Sequence, residues 1–485
     1  MRRLSLLGLA AASGLLLFAA DFPLHLYLVQ AVALVPLLAG LMRLARSTVD
    51  ALLAGLVTAL VMLVPLAVVL EFPLAMAVGL GAYMTVVWVL MTVGAYWVLR
   101  GPAPLGAFCA GAVAVAVEWI DFNLVPIWGT AQCFARVWSA EPWAVQIVEL
   151  AGMLGLVFVV VSAQGLLAGA LVDGRSRATH VVALVLLLAG VGGHAYYALH
   201  VRQPDGAVRV AAMGWTHGDL PRGRRTPPAE VLKIYRPLLD RAVRHRARLV
   251  VSPETGFRMA GEVKRWTLAE LSDLARRHRV TLAVGYFDED RNDNRIAFLG
   301  PAGERLGEYV KTHLIPTIER YRAGPGDLLT FLGPPMRPVD RRRPRRVRVG
   351  GMICQDDNFT DLSRRYGVRR VDVMAAPTND WAQVKSYHLE NSVFRAVESR
   401  YAVVRGASNG ISAIVAPDGR VLTRADHFHD GPQVIVADVP VYSTGPTLYS
   451  RWGDWIALAA LLGLVAAFPA LRRRWARGRE GTLRG

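Results

Sequence analysis

Three polar residues in the second half of the chain stand where strand-like runs end: Glu254 in ARLVVSPETGF, Lys311 in RLGEYVKTHLIP and Cys354 in VRVGGMICQDDNF. A carboxylate can take the proton of a thiol, and an ammonium can stabilise both the thiolate and the oxyanion it creates on a carbonyl. Together these groups are the parts of a nucleophilic acyl-transfer site. Taken singly, each has a plainer account: a loop carboxylate, a solvated lysine, a buried small hydrophobe. Their shared placement sets them apart. Cys354 is one of three cysteines; Cys109 lies in an apolar stretch and Cys133 beside one, as packing residues do. Three widely spaced cysteines make neither a disulfide framework nor a metal cluster. With no Cys/His ligand spacing and no glycine-rich phosphate loop, neither metal nor cofactor is expected.

The elements around these residues predict an α/β domain over 201–450. VRVAAMGW, ARLVVSPE, VTLAVGYF, RIAFLGP, VRVGGMIC, VDVMAAPT, YAVVRGAS, SAIVAPDG and QVIVADVP are strand-like. AEVLKIYRPLLDRAVRHRA, VKRWTLAELSDLARRHR and SYHLENSVFRAVESR carry apolar residues at helical spacing. IAFLGPAGERLGEY reads as a hairpin and adds antiparallel content. The arginine-rich stretch RPVDRRRPRRVRV reads as a solvated loop. This segment holds 40 Lys+Arg against 28 Asp+Glu, a net of +12. At a membrane, that balance suits anionic lipid head groups rather than nucleic acid.

The rest of the chain supplies the membrane. With 485 residues and 53% hydrophobic content, the sequence is too apolar for an ordinary soluble enzyme. Eight segments are candidate spans: 4–20, 24–42, 51–70, 74–98, 104–120, 144–171, 180–199 and 454–471. Arg2, Arg3, Arg43, Arg46, Arg100, Arg175, Arg177 and the final group Arg472, Arg473, Arg474, Arg477 and Arg479 all fall on one side. The opposite short loops carry Asp21, Glu71, Asp121, Arg136 and Glu141. The positive-inside rule puts both termini in the cytoplasm and 201–450 outside it. The division expected is 1–200 (seven helices), 201–450 (catalytic) and 451–485 (a last span and a basic tail). MRRLSLLGLAAASGLLLFAA also has the form of a signal peptide; its removal would not change the side on which 201–450 lies.

In this setting the motifs resemble a known family. The order Glu254, Lys311, Cys354 is similar to the Glu-Lys-Cys triad of the nitrilase (carbon–nitrogen hydrolase) superfamily, and the flanking spans resemble apolipoprotein N-acyltransferases. SPETGF, YVKTHLIP, TNDW (Thr378–Trp381) followed by His388, Arg395, Glu398 and Arg400, SNGISA (Ser408–Ala413) and TLYSRWGDW (Thr447–Trp455) match family blocks in order. Glu118-Trp119 and Gln146 resemble family positions among the spans. The resemblance implies an α-β-β-α sandwich, no cofactor, and a two-step acyl transfer. The donor would be a membrane phospholipid and the acceptor the diacylglyceryl-modified N-terminal cysteine of an apolipoprotein, at the bacterial cytoplasmic (inner) membrane. Glu254 is then the base, Lys311 the stabilising cation and Cys354 the nucleophile. Glu319 matches a second glutamate that orients the lysine. Trp215, Asn379 and Trp381 are candidate substrate contacts; a core aromatic is at least as good an account of Trp215, and a turn-forming Asn-Asp is the simpler account of Asn379 and its neighbours.

The chain also departs from the family. Gln355 and Asp356 follow the nucleophile where an aromatic residue and a glutamate are usual. Thr317, Ile318, Glu319, Arg320 and Tyr321 replace a Phe-Gly-Glu-Tyr stretch, and Gly214, Trp215 and Thr216 replace an early Gln-Gly-Asn-like segment. These changes surround the substrate mouth. They leave open an acyltransferase with another acceptor, a membrane-tethered amidase using water, and a catalytically silent scaffold.

Overall fold

The computed structural model describes residues 1–482 apart from 22–23, 72–73, 125–127, 224–225, 317 and 340–344. Thr317 and the centre of the arginine-rich stretch therefore lie outside the described residues. The chain forms two compact units: 1–126, 133–197 and 452–485 make one, and 127–132 with 198–451 the other.

Among the described residues, seven helices are long and apolar enough to cross a bilayer: Arg2–Ala20, Thr48–Val69, Leu74–Leu99, Leu105–Asn123, Val148–Val172, Arg177–Val201 and Trp455–Arg473. The expected span 24–42 differs. It is a 3-10 turn, Tyr27–Ala31, followed by a nine-residue helix, Val35–Arg43. Pro36 explains the restart, because a residue with no N–H is tolerated in the first helical turn and not further in. Small residues let the long helices approach: a Cβ on Gly14 would lie 2.7 Å from the Thr58 carbonyl oxygen, and one on Gly111 2.9 Å from that of Phe158. Asp50 is buried at one end of this unit. It accepts hydrogen bonds from Arg3 Nε (2.8 Å), Arg2 NH2 (3.2 Å) and the Arg46 amide (2.8 Å). The helix from Val148 breaks at Gly152 (φ 66°), and Trp455 Nε1 donates to the freed Leu150 carbonyl (2.8 Å). Glu118 and Gln146 are buried in the same unit.

The second unit is built on two sheets. Its strands are β1 (Gly206–Gly214), β2 (Leu249–Val251), β3 (Phe257–Met259), β4 (Thr281–Asp288), β5 (Asp293–Leu299), β6 (Arg305–Val310), β7 (Thr330–Pro335), β8 (Arg337–Pro338), β9 (Arg346–Gly351), β10 (Val373–Ala375), β11 (Thr378–Asn379), β12 (Ala402–Arg405), β13 (Ala407–Ser408), β14 (Ile411–Val415), β15 (Val421–Asp426) and β16 (Gln433–Val441). One sheet runs β16-β1-β2-β4-β5-β6, with β3 beside β4 and β8 beside β1; the other runs β15-β14-β12-β10-β9-β7. β1, β2 and β4 are parallel neighbours, as are β9, β10 and β12. These central strands are apolar on both faces, as parallel strands covered on both sides must be. Val210, Leu249, Ala283 and Phe298 from one sheet meet Val349, Val373 and Val404 from the other. Ala211, Val250, Leu282 and Val284 point the opposite way, onto the helices Pro228–Arg244 and Gly261–His278. Met374, Val403 and Val415 back onto Thr360–Val368 and Lys385–Ser399. The layers are therefore helix, sheet, sheet, helix. The turn Gly129–Gln132 belongs to this unit although the sequence places it among the spans; Thr130 Oγ1 donates to the Asn358 carbonyl (3.1 Å).

Candidate active site

Each of the three residues follows a strand: Glu254 after β2, Lys311 directly after β6, Cys354 after β9. All three are buried. Cys354 opens a short 3-10 turn, Cys354–Asn358, with φ 47°. That left-handed conformation is costly for a residue with a Cβ, so the surroundings must hold it. The Cys354 amide donates to the Pro377 carbonyl (3.0 Å). Asp356 does more, accepting at Oδ2 from the Ile353 amide (3.0 Å) and Tyr309 Oη (2.7 Å), and at Oδ1 from the His313 amide (2.8 Å) and the Thr312 amide (3.3 Å). This residue, a departure from the family pattern, ties the nucleophile's turn to the segment that follows Lys311. Gln355 closes the same turn, accepting from Asn358 Nδ2 (2.7 Å).

Lys311 Nζ donates to Glu254 Oε1 (2.9 Å) and Glu319 Oε1 (2.7 Å). Glu319 is fixed in turn by the Ile315 amide (2.8 Å) and Tyr321 Oη (2.7 Å). Asn294 on β5 donates to Glu254 Oε1 (2.6 Å). Nothing in the sequence singled out Asn294, because a polar residue inside a strand gives no sign of which face it occupies. Burial pushes the Glu254 carboxyl above the usual carboxylate range, against the pull of Lys311. Burial and the charge of Glu254 push the Cys354 thiol well up. Burial opposes the charge of Lys311 too, but Glu254 and its other anionic neighbours hold the ammonium firmly protonated. The resting site is thus a neutral thiol beside a charged lysine and a carboxyl poised to take a proton.

A second charged group lies behind the thiol. Cys354 Sγ is 3.5 Å from the Asn379 carbonyl oxygen and 4.0 Å from His388 Nδ1. That nitrogen is 2.6 Å from Asp380 Oδ1, and Arg405 NH2 donates to Asp380 Oδ2 (2.6 Å). The sequence blocks containing Asp380 and His388 were visible; the convergence of these residues on the nucleophile was not.

A cleft of about 740 Å³ opens on the site, lined by Glu254, Asn294, Glu319, Asn379 and Trp381 among others. Asn379 and Trp381 therefore line the cleft. Trp215 does not. It is 1% exposed and packs edge-on against Tyr235 (5.8 Å between centroids) and Phe257 (6.5 Å). Its candidacy as a substrate contact is corrected to core packing, because β1 turns that side chain toward the outer helix layer.

Residues 209–449 match the carbon-nitrogen hydrolase family, the class that the sandwich and the strand-end residues define. Over 372 residues the chain is 31% identical to the apolipoprotein N-acyltransferase of Gloeobacter violaceus, covering 71% of this chain and 69% of that protein. It is 29% identical over 422 residues to that of Azotobacter vinelandii, covering 79% and 77%. An amidase from Nesterenkonia sp. AN1 superposes with a TM-score of 0.43 at 18% identity, over 53% of this chain and 97% of the amidase. The chain belongs to the apolipoprotein N-acyltransferase family.

Proposed function

We propose that this chain moves a fatty acyl group from a membrane phospholipid to the α-amino group of a diacylglyceryl-modified N-terminal cysteine, through a thioester on Cys354. The observation that carries the reading is that Glu254 is hydrogen-bonded to both Lys311 and Cys354, with Glu319 on the same ammonium and both carboxylates lining one cleft. Glu254 takes the thiol proton as sulfur attacks the ester carbonyl. Lys311 stabilises the oxyanion. Collapse breaks the ester C–O bond, and the proton held by Glu254 passes to the leaving alkoxide, releasing a lysophospholipid. The acceptor amine then attacks the thioester and gives a proton to Glu254. Collapse forms the amide and breaks the C–S bond, and the thiolate recovers its proton.

Membership of the family supports both the lipid donor and the lipoprotein acceptor. Such substrates leave a bilayer at a cost of about 0.8 kcal/mol per CH₂, so an enzyme with its own membrane helices suits them. The alternation of arginine-rich and acidic loops supports a catalytic unit on the extracytoplasmic side of the cytoplasmic membrane. The test is mass spectrometry of the purified full-length protein after incubation with phospholipid. An acyl adduct on Cys354, discharged by a diacylglyceryl peptide faster than by water, is expected. Cys354→Ser should leave the protein in the membrane and abolish the thioester; full transfer by that variant would refute the mechanism, and discharge by water alone would favour an amidase.

A further inference from the structure

The charges lining the cleft do not end with the triad. Glu254 and Glu319 share Lys311, and Asp380 is matched by Arg405. Lys311 and Arg405 stand behind the cleft wall, whereas Arg258 and Arg320 belong to the lining itself. We propose that Arg258 and Arg320 form a phosphate subsite that holds the phosphodiester of the phospholipid donor while its ester lies against Cys354. This rests on the acyl-transfer reading and extends it to the recognition of the head group.

The guanidinium carbon of Arg258 lies 4.4 Å from the centroid of Phe287. Phe287 meets Tyr321 edge-on (5.4 Å), and Tyr321 Oη donates to Glu319 (2.7 Å). Stacking fixes the plane of the guanidinium while leaving N–H edges to face an anion. Its pairing with Glu289 (3.2 Å) joins two part-exposed side chains; such a pair is weak and exchanges readily for a phosphate. Arg320 directly follows Glu319, in the stretch where the chain departs from the family's Phe-Gly-Glu-Tyr, and it is exposed. The exposed apolar side chains of Ile318 and Phe428 line the same cleft. The lining therefore offers paired cations for a singly charged phosphodiester, matching its oxygens with N–H groups, together with an apolar surface for an acyl chain.

The test uses the full-length protein in detergent and reads the rate of thioester formation on Cys354 from two donors with the same acyl chain. One is phosphatidylethanolamine or phosphatidylglycerol; the other is a neutral nitrophenyl ester without phosphate. The doubly substituted variant, Arg258→Ala with Arg320→Ala, is expected to lose about 10- to 100-fold with phospholipid and several-fold less with the neutral ester. Arg320→Lys should retain part of the phospholipid rate. Equal losses with both donors, or no loss with phospholipid, would overturn the subsite. Failure of the unsubstituted protein to be acylated by either donor would overturn the Cys354 reading beneath it.

Discussion

Two flanks of Cys354 use the same kinds of residue to opposite ends. On one flank two carboxylates, Glu254 and Glu319, share the single ammonium of Lys311. Burial dominates there and Glu254 is held above its usual range. On the other flank Asp380 has two partners at close range, Arg405 and His388, each at 2.6 Å, while Asp357 meets Arg405 only at 3.8 Å. Burial opposes its charge as well, yet Arg405 and His388 hold it below the ordinary range. Cation supply decides the difference: Glu254 divides one ammonium almost evenly with Glu319, whereas Asp380 is held at short range by both Arg405 and His388. The first flank thus keeps a carboxyl that takes up a proton more readily than usual, and the second a carboxylate that gives up its charge less readily.

Substitutions should separate the two roles. Glu254→Gln removes the proton acceptor and is expected to cut acylation by about 10²–10⁴-fold, with the unfolding transition little changed, because the site already favours a neutral group there. Single-turnover acylation and a denaturant melt check both halves. Arg405→Met should do the reverse. It strands Asp380, which is fully buried with Arg405, and breaking one partner of such a pair costs about 3–5 kcal/mol. A lowered unfolding midpoint is expected first, with activity lost in proportion to unfolded protein. Loss of activity at unchanged stability would mean that the second flank takes part in the chemistry.

Glu319→Gln probes the sharing itself. The charge of Glu319 is one of the causes that raise Glu254. Glu254 must be ionised to accept the thiol proton, so acylation declines as pH falls through its raised pKa. Removing the Glu319 charge lowers that pKa, and the acid limb of the pH profile should move to lower pH. The plateau should fall about tenfold, because Lys311 loses one of its two anchors. A limb that moves upward would show that Glu319 acts by some route other than its charge.

How far the sequence foretold this site depends on what kind of contact each residue makes. Strand ends, the β5–β6 hairpin and the helices Pro228–Arg244, Gly261–His278 and Lys385–Ser399 were legible, because period and turn chemistry are local properties; the nine-residue helix Thr360–Val368 was too short to show a period. The order of Glu254, Lys311 and Cys354 along the chain, each after a strand, was legible too. Asn294 and the convergence of Asp380, His388 and Arg405 were not, since they depend on which side chains meet across non-adjacent strands. Asp356 looked like a loss of the family pattern, and only its hydrogen bonds show it bracing the turn that Cys354 opens. The interrupted segment Tyr27–Arg43 was misjudged for a simpler reason: hydropathy counts apolar residues and is blind to the helix start that Pro36 sets.

The smallest effect expected is at Trp215, and it bears on the boundary between site and core. If Trp215 only packs, Trp215→Phe removes part of an indole wedged between Tyr235 and Phe257 and leaves a void in the outer layer. Partial truncation of a buried side chain costs about 1–2 kcal/mol, read as a lower denaturation midpoint. The rate of thioester formation per folded molecule should stay within about twofold of the parent, since Trp215 lines no part of the cleft and the void sits on the far side of β1 from the sheet-to-sheet core. A rate that fell more than tenfold at a modest stability cost would put Trp215 in contact with the lipid during turnover, and would require the β1 end of this core to open as substrate enters.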